Sequence, residues 1–246
     1  MNHLRKFELE NDYLQAKDSF VYPNVSYIVE KNILHYMKNT KYEFVDLGLP
    51  SKLQWAKWNV GATKPEESGL YFAWGEDKGY VVTREGVITN SDGSETTKTF
   101  AEILSDYKYY DVNSEFTKYN ETDGLQTLAN EDDGCYLEEN AMRMPTHAEF
   151  SELIDNTTSA WTENYNGSGV NGMTFTSKTN GNSIFVPAVG SVNSGEFIGF
   201  GTYGSLWSSS RSSSVKLATF LDFSPDYLYV GDGDRFVGYP LRAVRP

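Results

Sequence analysis

The chain has 246 residues, a length that fits one large domain or one domain with a small appendage. With 39% hydrophobic residues, 17 tyrosines and 14 phenylalanines, it can bury a core and favours strands over a helical bundle. The net charge of -13 argues against binding to nucleic acids or anionic membranes, because both need a positive field. The single cysteine, Cys135, excludes an internal disulfide and any multi-cysteine metal site.

Residues 1–40 are predicted to form a small separate unit. Polar residues 8–19 favour a short helix, and residues 25–37 favour a β-hairpin that turns at Lys31 and Asn32. Two roles remain open for this unit: an attachment or oligomerisation element, or an irregular edge extension of the main domain.

The first residues carry charge but no apolar stretch, and no apolar run approaches the about 20 residues of a membrane helix. We therefore expect no secretory signal and no membrane insertion. The protein would then leave the cell by another route, such as within a virion, unless a signal has been removed.

The main domain is predicted to span residues 41–246. Short strands broken by glycine and proline are expected at 44–50 and 53–61, followed by an extended hairpin insertion over 76–96. Glycine, asparagine, serine and threonine dominate residues 164–182, which predicts loops and short strands there.

Two segments carry a capping box, in which a threonine and a glutamate three residues later satisfy the free groups of a helix start. Thr99 and Glu102 predict a helix toward Lys108, and Thr146 and Glu149 predict a second helix. Two helices among many short strands indicate the α+β class.

Residues that could support catalysis or metal binding are sparse. His3, His35 and His147 have no partner at the spacing of a metal site or catalytic triad. The acidic loop Glu131–Gly134 could hold calcium, but it lacks the ligand spacing of a calcium loop, and a solvated or internally hydrogen-bonded loop is the favoured interpretation. The glycines of Gly199–Gly204 precede no helix, so phosphate binding is not expected.

The last forty residues differ from the rest in composition. From Ser208 to Pro246, Lys216 is the only lysine, glutamate, glutamine, methionine or tryptophan. Alternation along strands then divides this tail into two faces. The residues expected to point inward are Leu221, Phe223, Leu228 and Val230. Those expected to point outward are Phe220, Asp222, Ser224, Tyr227, Tyr229 and Gly231, with a loop over Gly231–Asp234.

Outward aromatic residues beside aspartate and glycine are typical of a binding surface, in which rigid rings supply contact area and small polar residues adapt. An ordinary solvated β-surface explains the same pattern, because isolated exposed aromatic residues are common. Spacing alone leaves both interpretations open.

Many short motifs over residues 43–246 occur together in one family. They are Val45-Asp-Leu-Gly-Leu49, Trp55-Ala56, Asn59-Val-Gly-Ala62, Gly69-Leu-Tyr-Phe-Ala-Trp-Gly-Glu76, Glu131-Asp-Asp133, Arg143-Met-Pro-Thr146, Glu149-Phe150, Gly172, Ser177-Lys-Thr-Asn-Gly-Asn182, Ile184-Phe-Val-Pro-Ala188, Gly190, Gly201-x-x-Gly204-x-x-Trp207-Ser-Ser209 and Arg242-x-Val244-Arg245. In this set the chain resembles the Fibrobacter succinogenes major paralogous domain family of gut Bacteroidetes and their phages. The resemblance implies a C-type lectin fold of the formylglycine-generating-enzyme branch.

Some members of that family are variable proteins of diversity-generating retroelements. There, error-prone copying at adenines turns AAC codons into codons ending in C or T, which cannot encode lysine, glutamate, glutamine, methionine or tryptophan. The tail is similar to such a variable region of about 205–238. The resemblance and the alternation together imply a variable ligand-binding face of Ser205, Ser212, Phe220, Asp222, Ser224, Asp226, Tyr227, Tyr229, Gly231, Asp232, Asp234, Phe236 and Val237.

The resemblance implies a non-enzymatic receptor-binding protein on a phage tail or bacterial cell surface, with Tyr227, Tyr229 and Phe236 as anchors. Its partner would be a host-surface protein or glycan, and residues 1–40 would join a virion partner or a second copy. A fixed glycan-binding or structural domain of the same family remains the alternative. No cofactor or metal is expected: calcium-lectin signatures are absent, and Cys135 alone cannot supply the cysteine pair of the oxidase relatives.

Overall fold

The computed structural model describes residues 42–77, 79–82, 88–89, 106–111, 115–136, 141–193 and 196–246. Over this part of the chain the protein is an α+β structure, mostly sheet with one α-helix, which confirms the predicted class. The unit predicted at 1–40 lies outside the described residues, and so does the start of the helix predicted at Thr99.

The strands of the described residues are short and form several sheets. In chain order they are β1 Phe44–Asp46, β2 Gln54–Ala56, β3 Tyr71–Phe72, β4 Val81–Val82, β5 Ile88–Thr89, β6 Thr157–Thr162, β7 Gly172–Ser177, β8 Ser183–Pro187, β9 Val189–Asn193, β10 Glu196–Phe200, β11 Gly204–Arg211, β12 Leu217–Phe223, β13 Leu228–Asp234, β14 Tyr239–Pro240 and β15 Val244–Arg245. The pairing of β4 with β5 confirms the predicted hairpin insertion as far as the structure describes it.

The central sheet has the strand order β10-β9-β11-β12-β13, and its pairs are antiparallel except β9 with β11. The described residues also form two three-stranded sheets, β1-β2-β15 and β6-β7-β8, and the pairs β14-β3 and β4-β5. The strands β12 and β13 form a long hairpin in continuous register, so β13 is one edge of the central sheet.

The helix α1, His147–Asn156, begins where its sequence predicted. The Thr146 hydroxyl accepts a hydrogen bond from the Glu149 N–H, and the Glu149 carboxylate accepts one from the Thr146 N–H, so the capping box is complete. Phe150 and Leu153 are fully buried on the inner side of the helix. These two residues fix α1 against the rest of the domain.

The face of the central sheet toward α1 is a closed apolar layer. Leu221 and Phe223 are 0% exposed and belong to the same cluster as Phe150 of α1. The partly buried residues Leu228 and Val230 pack against this cluster. All four residues predicted to point inward therefore do so.

The opposite face of the sheet is also buried at β11 and β12. Phe220 is 7% exposed, and its ring centroid lies 5.8 Å from that of Trp207 and 4.9 Å from that of Tyr239. These rings belong to a second cluster that also contains Trp74. The prediction that Phe220 points outward is therefore wrong, because this second layer covers it.

A buried arginine joins the C-terminal segment to two other parts of the domain. Arg242 is 0% exposed, and its guanidinium donates hydrogen bonds to Asn59 Oδ1 at 2.9 Å, the Ala56 carbonyl at 2.9 Å and the Phe185 carbonyl at 3.1 Å. Burial lowers the pKa of Arg242 to about 9. Three acceptors in fixed positions hold this cation inside the core.

Candidate ligand-binding face

The turn between β12 and β13 brings two tyrosines to the surface. The Ser224 N–H donates to the Tyr227 carbonyl at 2.9 Å, and the Asp226 N–H donates to Ser224 Oγ at 3.1 Å, which closes the turn. Tyr227 is 40% exposed and Tyr229 is 47% exposed. Their ring centroids are 5.5 Å apart, so the two rings form one aromatic surface.

Beside these rings lies the carboxyl group of Asp222, which is 8% exposed. Asp222 Oδ1 accepts a hydrogen bond from Ser205 Oγ at 2.8 Å, and Oδ2 accepts one from the Tyr229 hydroxyl at 3.2 Å. The register explains the grouping, because Asp222 pairs with Ser205 on β11 and with Tyr229 on β13. Cross-strand neighbours on one face are within side-chain reach. We call the side chains of Ser205, Asp222, Tyr227 and Tyr229 the Asp222 cup.

Burial raises the pKa of Asp222, and hydrogen bonds from Ser205, Tyr229 and Tyr227 oppose this shift without cancelling it. Burial and the nearby Asp222 carboxyl also raise the pKa of Tyr227, to about 12, and that of Tyr229. Both phenols therefore stay neutral at physiological pH. The cup offers two aromatic rings, neutral hydroxyls and one mostly buried carboxyl group, which are groups for binding a ligand.

Further hydroxyl groups extend this polar region. Tyr203 and Ser191 hydroxyls lie 2.8 Å apart, and the Asp222 charge raises the pKa of Tyr203 in addition to the larger effect of burial. Tyr239 lies near enough to Asp222 that the charge of this carboxylate, in addition to burial, raises the pKa of Tyr239. Alternation along one strand could not identify these three residues, because they come from other parts of the chain. Tyr203 lies within Gly201-x-x-Gly204, a segment whose glycines carry the family resemblance but indicate no binding role for Tyr203.

The predicted face divides into an exposed and a buried set. The exposed residues are Asp226, Tyr227, Tyr229, Asp232 and Asp234, and Gly231 is half-exposed. The buried residues, at 2 to 9% exposure, are Ser205, Ser212, Phe220, Asp222, Ser224, Phe236 and Val237. For this second set the expectation of an open, solvent-facing position is wrong, although Ser205, Asp222 and Ser224 lie in or beside the cup.

Phe236 and Val237 are buried because they belong to the second apolar cluster. The Val237 carbonyl accepts a hydrogen bond from Trp207 Nε1 at 3.2 Å. Phe236, predicted as an anchor, is 9% exposed and therefore part of this core. Ser212 follows the end of β11, and its N–H donates to the Leu217 carbonyl at 3.1 Å, so it closes the connection to β12.

The loop predicted over Gly231–Asp234 is instead the second half of β13. Asp232 pairs with Thr219, and Asp234 pairs with Leu217, without a break in register. Alternation then places Asp232 and Asp234 on the opposite side of the strand from Tyr229. These two aspartates are exposed, but they do not share the face of the cup.

The acidic loop considered for calcium is held by the protein's own donors. Asp132 accepts hydrogen bonds from the Lys118 ammonium and, at 2.6 Å, from the Tyr119 hydroxyl. Asp133 accepts from the N–H groups of Cys135 and Met144, both at 2.8 Å. Over the part of the chain that the structure describes, no group of three or more histidine, cysteine, aspartate or glutamate residues is placed to hold a metal ion.

None of the helices among the described residues has the length and apolar character needed to span a bilayer. A comparison of the chain with known protein families, curated proteins and solved structures found no match.

Proposed function

We propose that this protein is a non-enzymatic receptor-binding protein, displayed on a phage tail or bacterial cell surface, that binds its ligand through the β12–β13 hairpin. The observation that carries this proposal is the pair of exposed tyrosines beside Asp222. Tyr229 stands on β13 and Tyr227 in the turn before it, next to a sheet whose residues Leu221 and Phe223 are 0% exposed. Rigid aromatic side chains on a fixed scaffold lose little entropy on binding, which favours such a surface as a contact site.

The C-type lectin fold and the retroelement origin are part of the same proposal. The sheet-rich α+β architecture agrees with a fold of few helices and many short strands. The amino-acid bias of the tail, in which Lys216 is the only exception after Ser208, agrees with diversification at adenines. Variation would concentrate on exposed positions such as Asp226, Tyr227 and Tyr229, because buried positions have to preserve the core.

One observation favours the alternative, a fixed glycan-binding or structural domain. Seven of the predicted variable positions are buried, namely Ser205, Ser212, Phe220, Asp222, Ser224, Phe236 and Val237. Free variation at a buried position destabilises the fold, so a tail with so many buried positions is also consistent with an invariant surface.

Binding to whole cells tests the role of the hairpin. We would label the full chain, screen candidate host bacteria by flow cytometry, and compare the wild type with Tyr229→Ala. The matched control is Ile198→Ala, since Ile198 is 45% exposed on β10 at the other edge of the same sheet. We expect Tyr229→Ala to weaken binding at least tenfold with little change in melting temperature, and Ile198→Ala to bind normally. Equal binding by all three proteins would refute the assignment of the hairpin.

Sequencing the 3′ end of the gene across many genomes separates the two forms of the proposal. Substitutions at the codons of Asp226, Tyr227 and Tyr229, beside a template repeat and a reverse-transcriptase gene, would support diversification. An invariant tail without a template would favour the fixed domain, and a glycan array would then be the next screen.

A further inference from the structure

The β12–β13 hairpin has a one-sided charge. Residues Leu217–Asp234 contain four aspartates and no lysine, arginine or histidine. Asp222 and Asp226 lie at the turn end of the hairpin, and Asp232 and Asp234 lie toward its other end. The strand pair therefore presents a negative potential, which attracts positively charged groups.

Asp222 is the buried one among these four aspartates. Asp222 is 8% exposed, and its hydrogen-bond partners are the hydroxyls of Ser205, Tyr229 and Tyr227 and the backbone of Phe223, all of them uncharged. Among the described residues no ion pair within 4.0 Å involves this carboxylate. A buried carboxylate without a cation is costly, and these neutral donors do not cancel the effect of burial, which leaves the pKa of Asp222 raised.

The rings beside this carboxylate suit the same kind of ligand. A guanidinium or ammonium group is attracted to the face of a tyrosine ring, and the interaction strengthens when water is excluded. The domain already uses this contact internally, because the guanidinium carbon of Arg235 lies 4.8 Å from the Trp74 ring centroid and 4.9 Å from that of Phe116. Tyr227 and Tyr229 are 40% and 47% exposed, and their rings lie beside each other next to a carboxylate.

We propose that the Asp222 cup binds a positively charged side chain, an arginine or lysine, presented by a protein partner. The cation lies against the rings of Tyr227 and Tyr229 and donates to the Asp222 carboxylate. An anionic ligand is disfavoured by Asp222 and by Asp226, the two aspartates at the turn end of the hairpin. This inference rests on the proposed function and names the chemistry of the partner.

Small probes test the cup on the full chain. We would follow tyrosine ring resonances by NMR during titration with N-acetyl-arginine methylamide and with its neutral isostere, N-acetyl-citrulline methylamide. The arginine probe should shift the Tyr227 and Tyr229 signals saturably, and the citrulline probe should bind at least tenfold more weakly. Equal shifts with both probes would overturn the inference, and so would saturable binding of a neutral methyl glycoside at the same tyrosines.

Asp222→Asn separates the charge from the fold. The amide keeps an oxygen for the Ser205 hydroxyl and a donor for the Tyr229 hydroxyl, so the hairpin should be retained. We expect this variant to lose at least tenfold in affinity for the arginine probe. The control, Asp226→Asn, removes a charge of the same sign from the exposed turn and should lose less than threefold. Unchanged affinity in Asp222→Asn, with a native spectrum, would refute the cup as the binding site.

The cell-binding experiment distinguishes a wrong inference about the cationic partner from a wrong proposal about receptor binding. If Tyr229→Ala loses cell binding but the arginine probe leaves the tyrosine signals unmoved, the cationic partner is refuted while the receptor-binding role stands. If cell binding is also independent of Tyr229, both proposals fall.

Discussion

Phe220 provides the sharpest test of whether the hairpin is scaffold or variable surface. Replacing it by alanine removes a ring that is 7% exposed and packs against Trp207 and Tyr239. Truncating a core phenylalanine costs about 3–5 kcal/mol, and the two ring pairs place this site within that range. In a domain of this size, each kcal/mol lowers the melting temperature by about 2–4 °C. We therefore expect Phe220→Ala to lower it by about 6–20 °C.

Urea unfolding followed by near-ultraviolet circular dichroism measures this loss, because Trp207 contributes to that signal. The matched control is Tyr229→Ala, a truncation on the same face of the sheet at a residue that is 47% exposed. That variant should lose no more than about 1 kcal/mol, since surface substitutions and a single hydrogen bond have small effects. Equal destabilisation by the two variants would show that the second apolar layer does not hold Phe220.

Three further predictions concern the scaffold. Arg242→Met should lower the free energy of unfolding by about 4 kcal/mol, because it leaves three buried acceptors unpaired. The control, Arg245→Met at the half-buried end of the chain, should lower it by about 1 kcal/mol or less. Urea titrations of the two variants compare these losses. Asp132→Asn should cost about 2 kcal/mol at pH 7. Burial raises the Asp132 pKa, but hydrogen bonds from Lys118 and the nearby tyrosines outweigh this and hold it below the ordinary 3.8. The stabilisation is present above that value and lost as pH falls below it, so the gap between wild type and variant should narrow in titrations below about pH 4. A constant gap would refute the assignment. Gly190→Ala should destabilise the fold by about 3 kcal/mol or more, because the added Cβ would lie 1.9 Å from the Ile198 carbonyl oxygen. Gly201→Ala should cost about 1–2 kcal/mol, because a Cβ at that position meets no other atom. Equal losses of stability in thermal melts of the two variants would contradict this prediction.

The helix α1 could be predicted from sequence because its signal is local. Thr146 and Glu149 satisfy each other's backbone groups within one turn, so no distant residue is needed to define the start. The inward positions Leu221 and Phe223 were also predictable, since alternation follows from strand geometry alone.

Phe220 could not be assigned correctly from alternation. The period of two separates one face of a strand from the other, but it does not say whether the second face meets water or another layer. That depends on Trp207 and Tyr239, which reach Phe220 only after the chain has folded. The one signal in the sequence was that Phe220 is apolar, although it falls on the face that was predicted to meet water.

The second half of β13 was misassigned because glycine and aspartate usually mark turns. Here Gly233 serves packing, since a Cβ at this position would lie 2.9 Å from the Phe220 ring. Asp232 and Asp234 on an edge strand discourage pairing with a further strand, a role that residue preferences for turns do not reveal. The Asp222 cup was partly predictable, because Asp222, Tyr227 and Tyr229 followed from alternation. Tyr203, which lies outside the cup, depended on tertiary contact.

The position of β15 has a consequence for how the protein is made. Val244 pairs with Trp55, and Arg242 donates to Ala56, so residues almost two hundred positions apart complete the same part of the core. During synthesis, the early strands must wait until Val244 has emerged from the ribosome before they can be completed. A premature stop anywhere in the tail would therefore leave an unfinished core exposed to proteases. Only a chain translated through the whole tail could complete its core.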